Sequence, residues 1–218
     1  MNLRMALEKR VSYKATASYS TLNPLSAKTK NIWLVFHGMG YLSRYFLRYF
    51  SELNPEENYI IAPQAPSKYY IAPDFKHVGA SWLTREDTLE ETKNVLEYVD
   101  AVWKTEQIPA GRRFLVLGYS QGVSIATRWL ASRKIQCDHL ILHSGGIPKE
   151  LKSADFNYMD PETAVTYLYG NKDKYITEAR KTEETLKGTN LFGKRLEVRV
   201  FEGIHEVSKE FLHKFVQH

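Results

Sequence analysis

A single cysteine, Cys137, stands in the whole sequence. One thiol cannot form an internal disulfide framework, and no Cys-x-x-Cys pair is present to hold zinc or run redox chemistry. Its place ahead of an apolar run marks it as a small buried side chain. Long hydrophobic runs are missing too: no stretch approaches the roughly 20 apolar residues that a membrane-spanning helix needs. The opening residues 1–10 mix charged with apolar side chains and contain no secretory apolar core. Both absences predict a cytoplasmic, reduced setting and no membrane span. Clustered positive charge is also scarce. The net charge is +5, and the basic residues fall into small pairs such as Lys28 with Lys30 and Arg112 with Arg113. Charge of that size bears on solubility and weak attraction to anions, so no nucleic-acid partner is expected. Repeats, low-complexity tracts and linker-like segments are absent as well. Nothing in the sequence speaks to oligomeric state.

What is present reads as one folded unit. With 218 residues, 43% hydrophobic and 25% charged, the chain can bury one sizeable core, and a single domain over 1–218 is expected. Short apolar runs rich in β-branched and aromatic residues occur at 32–36, 59–62, 114–117, 140–142, 165–169 and 196–201. Longer stretches with helical spacing lie at 43–53, 88–105, 123–133, 176–186 and 207–216. Within 88–105 the apolar positions Val95, Leu96, Val99, Val102 and Trp103 line one helical face. Strands alternating with helices predict an α/β protein whose mostly parallel central sheet carries helices on both faces. The more polar, alternating segment 11–20 reads as an antiparallel edge strand. Open sheets of this kind bind ligands beyond the carboxyl ends of their strands, so the residues after each strand matter most.

After the run at 114–117 comes Gly118-Tyr119-Ser120-Gln121-Gly122, then a helical segment. This is a G-x-S-x-G nucleophile elbow in its strand–turn–helix context, the mark of an α/β-hydrolase fold. A serine on so tight a turn is strained and exposed, and small neighbours relieve the crowding. Ser120 is the candidate nucleophile, and the amide of Gln121 would face a forming oxyanion. Serine needs an oriented base, and the motif predicts the chain order Ser, acid, His. His205 follows the last apolar run and is the candidate base. His139 opens a strand, His213 lies in the last helix and His218 is the final residue. His143 ends a strand but precedes the candidate acid. That acid is Asp173, in the polar turn Gly170-Asn171-Lys172-Asp173, where it would hold the His205 imidazole in the right tautomer. Asp155 and Asp160 look like turn formers. His37-Gly38-Met39-Gly40 follows the run at 32–36 as an oxyanion loop should, with the Met39 amide as second donor and His37 shaping the loop.

Seven ordered blocks carry a family resemblance: Phe36-His37-Gly38-Met39-Gly40, Ala62-Pro63-Gln64-Ala65-Pro66, Gly79-Ala80-Ser81-Trp82, Gly118-Tyr119-Ser120-Gln121-Gly122, His143-Ser144-Gly145-Gly146, Gly170-Asn171-Lys172-Asp173 and His205-Glu206-Val207. Together they resemble the phospholipase/carboxylesterase family of α/β hydrolases, which includes acyl-protein thioesterases, from about residue 31 to about residue 212. The resemblance implies a small hydrolase with a minimal cap, no cofactor or metal, and a shallow acyl pocket. It also implies Ser120, Asp173 and His205 as triad, the Met39 and Gln121 amides as oxyanion hole, and Trp82 as a substrate-binding residue at the mouth. The other reading of Trp82 is a core tryptophan. Departures fall at Tyr41, at Leu83 with Thr84, and at Ile204 ahead of the histidine.

The expected reaction is hydrolysis of a small-molecule or lipid ester or thioester through an acyl-enzyme on Ser120. Another acyl chemistry on the same fold, dienelactone-type or peptidase, is the alternative. A catalytically silent binding module is disfavoured because every triad residue type is present in order.

Overall fold

A computed structural model describes residues 7–215, the side chain of Phe215 excepted. Residues 1–6 and 216–218, including much of the opening segment, Val216 and His218, lie outside it. Seven strands form one sheet in the order β1-β3-β2-β6-β7-β8-β9. These are β1 (Tyr19–Leu22), β2 (Asn31–Phe36), β3 (Asn58–Pro63), β6 (Arg113–Tyr119), β7 (His139–His143), β8 (Ala164–Gly170) and β9 (Leu196–Phe201). Strand β1 runs antiparallel to β3, and every other pairing in the sheet is parallel. Two further strands, β4 (Ser67–Tyr70) and β5 (Val78–Ser81), make a separate antiparallel hairpin. The helices are α1 (Ser43–Phe46), α2 (Thr88–Glu106), α3 (Gly122–Arg133), α4 (Glu178–Phe192) and α5 (Lys209–Phe215).

Side-chain alternation along the central strands builds two cores. Ile32, Leu34, Phe36, Val116, Leu140 and Leu142 pack with α2, α3 and α4. Trp33, Val35, Leu115, Leu117 and Ile141 pack with α1 and α5 on the other face. Strands covered on both sides have no solvent face, which is why they read as unbroken apolar runs. Helix α2 shows what decides local structure here. Its N-cap residue Asp87 makes no side-chain cap, a loss of about 1 kcal/mol. Burial of Val95, Leu96, Val99 and Val102, at roughly 1.5–3 kcal/mol each, outweighs it.

Two expectations need correction. The edge strand lies at Tyr19–Leu22, so most of 11–20 is not strand. Leu7, Val11 and Tyr13 are exposed, and an alternating pattern with nothing to pack against forms no ladder. The stretch 43–53 is a single turn of α-helix followed by a 3₁₀ turn at Leu47–Phe50, not one long helix.

The parallel strands end on the same side of the sheet. There β2 hands over to His37, β6 to Ser120, β7 to Ser144, β8 to the turn carrying Asp173, and β9 to the loop carrying His205.

Candidate active site

Ser120 has φ +52°, the left-handed region, which costs a non-glycine residue of order 1–3 kcal/mol. Its surroundings hold it there. The Ser120 N–H donates to the His143 carbonyl at 2.8 Å, and the Ser120 carbonyl accepts from Val123 N–H at 3.1 Å. The flanking glycines are required by close approach rather than by their own φ. A Cβ on Gly122 would lie 2.1 Å from the Phe36 carbonyl oxygen, and one on Gly118 would lie 2.5 Å from Val123 Cα.

The His205 imidazole bridges from this elbow to the β8 turn. Nε2 lies 3.0 Å from Ser120 Oγ and Nδ1 lies 2.7 Å from Asp173 Oδ2. The other carboxylate oxygen, Oδ1, accepts from the Tyr175 N–H at 2.9 Å. Asp173's side chain is 0% exposed and that of His205 is 20% exposed, so the carboxylate is sealed in while the imidazole reaches the surface. With the acid accepting at Nδ1, the neutral ring carries its proton there and presents a bare Nε2 to the serine. Tyr119 steadies the loop: its hydroxyl donates to the His205 carbonyl at 3.0 Å. Tyr175 stands edge-on to the imidazole at 4.8 Å between ring centroids.

The loop after β2 lies against the serine, and a Cβ on Gly38 would come within 3.1 Å of Ser120 Cβ. Gly40 N–H donates to the Ala80 carbonyl and Tyr41 N–H to that of Gly38. The amides of Met39 and Gln121 find no acceptor among the described residues, which leaves both for a ligand oxygen. Gly40 turns the loop at φ +89°.

Trp82 does not stand at the mouth. It is fully buried, and its indole N–H donates to the His37 carbonyl at 2.8 Å. It therefore supports the loop after β2 from beneath, and the core placement is the one the structure has. The Gln121 side chain has a role that its backbone assignment missed. Its Oε1 accepts from Trp82 N–H at 2.8 Å and its Nε2 donates to the Leu83 carbonyl at 2.7 Å, tying the elbow to the strand end behind the loop. No local pattern signals contacts that span about forty positions; only the fold brings them together. Of the departures, Tyr41 joins the second core and hydrogen-bonds Tyr49, while Ile204 is exposed.

Three other histidines, His37, His139 and His143, are buried and held by hydrogen bonds within the fold. His143 is fully buried; its Nε2 accepts from Ser208 N–H at 3.0 Å and its Nδ1 meets Ser144 Oγ at 3.1 Å. His37 accepts from Ala65 N–H through Nε2 and donates from Nδ1 to the Gly38 carbonyl. His139 pairs with Thr166 at the far end of β7, and His213 lies on α5. Burial pushes His37 down to about 4 and His143 down to about 3. A group whose folded pKa is depressed binds fewer protons folded than unfolded below pH 6.5. Stability is therefore complete above pH 6.5 and declines as pH falls toward 4, by about 1.4 kcal/mol per pH unit for each histidine. Urea unfolding should show that slope between pH 6.5 and 4.5, and His143→Asn should remove one histidine's share of it while leaving that of His37. A midpoint independent of pH across the window would contradict the neutral assignment.

Among the described residues, no group of three or more His, Cys, Asp or Glu side chains could hold a metal ion, and no helix is long and apolar enough to cross a membrane. Comparison with known proteins agrees with the geometry. The phospholipase/carboxylesterase family model matches residues 18–218. No curated protein sequence matches the chain. Among solved structures, Zea mays acyl-protein thioesterase 2 aligns at 15% identity over 93% of this chain and 97% of that one, with TM-score 0.66. A phospholipase/carboxylesterase from Dyadobacter fermentans aligns at 19% identity over 95% and 99%, with TM-score 0.64. The esterase PE8 aligns at 18% identity over 93% and 99%, with TM-score 0.67. Identities this low speak to the fold.

Proposed function

The chain belongs to the phospholipase/carboxylesterase family of α/β hydrolases, and from that premise we propose that it hydrolyses carboxylic esters or thioesters through an acyl-enzyme on Ser120. The observation that carries this reading is the unbroken hydrogen-bond chain Asp173–His205–Ser120 at the strand ends. His205 Nε2 takes the Ser120 proton as Oγ attacks the substrate carbonyl carbon. The Met39 and Gln121 amides receive the oxyanion. Collapse of the tetrahedral intermediate expels the alcohol or thiol, which leaves with the proton from His205. Water then attacks the acyl-enzyme, its proton passing to His205 and on to Ser120 Oγ as the acid departs. Asp173 keeps the imidazole oriented and stabilises its charged form throughout.

The substrate's acyl part is proposed to be apolar. Met39, Tyr175 and Ile204, all beside the reacting groups, are 62%, 62% and 55% exposed. They offer a greasy, uncharged rim rather than a polar pocket. We place this activity in a single domain and in the cytoplasm, where the buried Cys137 thiol, pushed up to about 12 by burial, stays reduced and inert.

A panel of p-nitrophenyl esters of rising acyl length, with acyl-CoA thioesters alongside, tests the reading. A fully buried methylene contributes about 0.8 kcal/mol, roughly fourfold. A shallow rim should give a rise in kcat/KM below that per carbon, carried by KM. Ile204→Asp should lower kcat/KM for long chains and spare the acetyl ester. No hydrolysis of any member would overturn the proposal.

A further inference from the structure

Among the described residues, the last strand of the sheet, β9, is hydrogen-bonded on one side only, to β8. The Phe201 carbonyl accepts from Asn171 N–H, so its main-chain groups face the body of the sheet. Main-chain N–H and C=O groups alternate sides along a strand. Those of Glu197 and Arg199 therefore also face β8, while those of Leu196, Val198 and Val200 face the open edge. Proteins blunt such edges with proline, bulges, short length or charged side chains. This edge has six residues, Leu-Glu-Val-Arg-Val-Phe, with no proline, and its two charges are opposite. Val198 and Val200 are 37% and 54% exposed.

The sequence of this edge is complementary to itself. Turned end for end about Val198, Leu196 falls opposite Val200 and Glu197 falls opposite Arg199. Val198 then opposes Val198 of a second copy as a hydrogen-bonded pair, each exchanging N–H and C=O with the other. Glu197 and Arg199 take the non-hydrogen-bonded positions, where facing side chains come closest. The two charges already pair within the strand, Arg199 Nε to Glu197 Oε1 at 2.9 Å, and so stand on one face. A two-fold copy supplies each with the same partner across the seam. The apolar face joins Leu196 and Val200 over a central pair of valines. The opposite edge, β1, has four residues and no charge, and offers nothing comparable.

We infer that the chain forms a two-fold homodimer through antiparallel pairing of its β9 edges, joining two sheets into one, with Glu197 and Arg199 setting the register. This rests on β9 alone and not on the reaction assigned to Ser120. The expected result is a dimer in sedimentation equilibrium and light scattering of the full chain. Glu197→Arg or Arg199→Glu alone places like charges opposite each other, and should raise the dimer dissociation constant at least about tenfold. Mixing the two variants should restore a dimer, because an arginine of one copy then faces a glutamate of the other at both charged positions of the seam. Val198→Pro removes the N–H at the seam's centre, and an edge strand tolerates proline there; it should also give monomer. Circular dichroism and thermal melts establish that each variant is folded. Wild-type protein that stays monomeric at all concentrations overturns the inference, as does a dimer that both charge variants and Val198→Pro leave unchanged.

Discussion

Alanine at Ser120 should lower kcat on a small activated ester by about 10⁴–10⁶-fold, and alanine at His205 should do nearly the same. The two residues act as one unit, held at 3.0 Å, so the double variant should be no worse than either single one. A fluorophosphonate probe should label the wild type and fail on Ser120→Ala. The informative control is His143, which ends β7 at the same end of the sheet. Its ring is fully buried and both nitrogens are engaged, with Ser208 N–H and Ser144 Oγ. His143→Ala strands the buried Ser208 amide, at about 1–3 kcal/mol. It should thus lower the melting temperature, while the folded fraction retains its kcat. Labelling that survives Ser120→Ala, or a folded His143 variant that is dead, would require a different nucleophile or base.

The sequence made some of this architecture legible because physics leaves few ways to build it. Strands β2, β3, β6, β7 and β8 are buried on both faces, and that burial writes continuous apolar runs. The hairpin of β4 and β5 escaped notice for the opposite reason. Ser67–Tyr70 is exposed throughout, and Val78–Ser81, though largely buried, is short and small-chained, so neither writes an apolar run. Helix α4 continues to Phe192 through Gly188, a residue that reads as a stop. The helix runs on through it because tertiary packing decides: a Cβ there would only meet the movable end of the Leu196 side chain, Cδ2, at 2.9 Å. At the site, chain order and strand ends singled out Ser120, Asp173 and His205 as candidates. Trp82 and the Gln121 side chain could not be placed that way. What each does depends on partners far along the chain, and a motif records residue types without recording which way they face.

Asp173→Asn should lower kcat by about 10⁴-fold with KM little changed. The substitution keeps the shape of the side chain and removes one accepting oxygen. In the wild type both oxygens accept, Oδ2 from His205 Nδ1–H at 2.7 Å and Oδ1 from Tyr175 N–H at 2.9 Å. An asparagine has one acceptor for these two donors. If its oxygen serves Tyr175, its NH₂ faces Nδ1, and the imidazole must move its proton to Nε2. That nitrogen then donates to Ser120 Oγ and can no longer take the serine's proton. If the oxygen serves His205 instead, the NH₂ confronts the Tyr175 N–H in a site where the side chain is 0% exposed, and the turn must open. The first arrangement stops turnover and leaves the fold intact. The second lowers the melting temperature as well. Proton NMR separates the two, since a downfield Nδ1–H resonance present in the wild type should vanish in the first. A folded Asp173→Asn enzyme within tenfold of wild-type kcat would reduce Asp173 to a turn former and send the search for the acid elsewhere on the rim of the sheet.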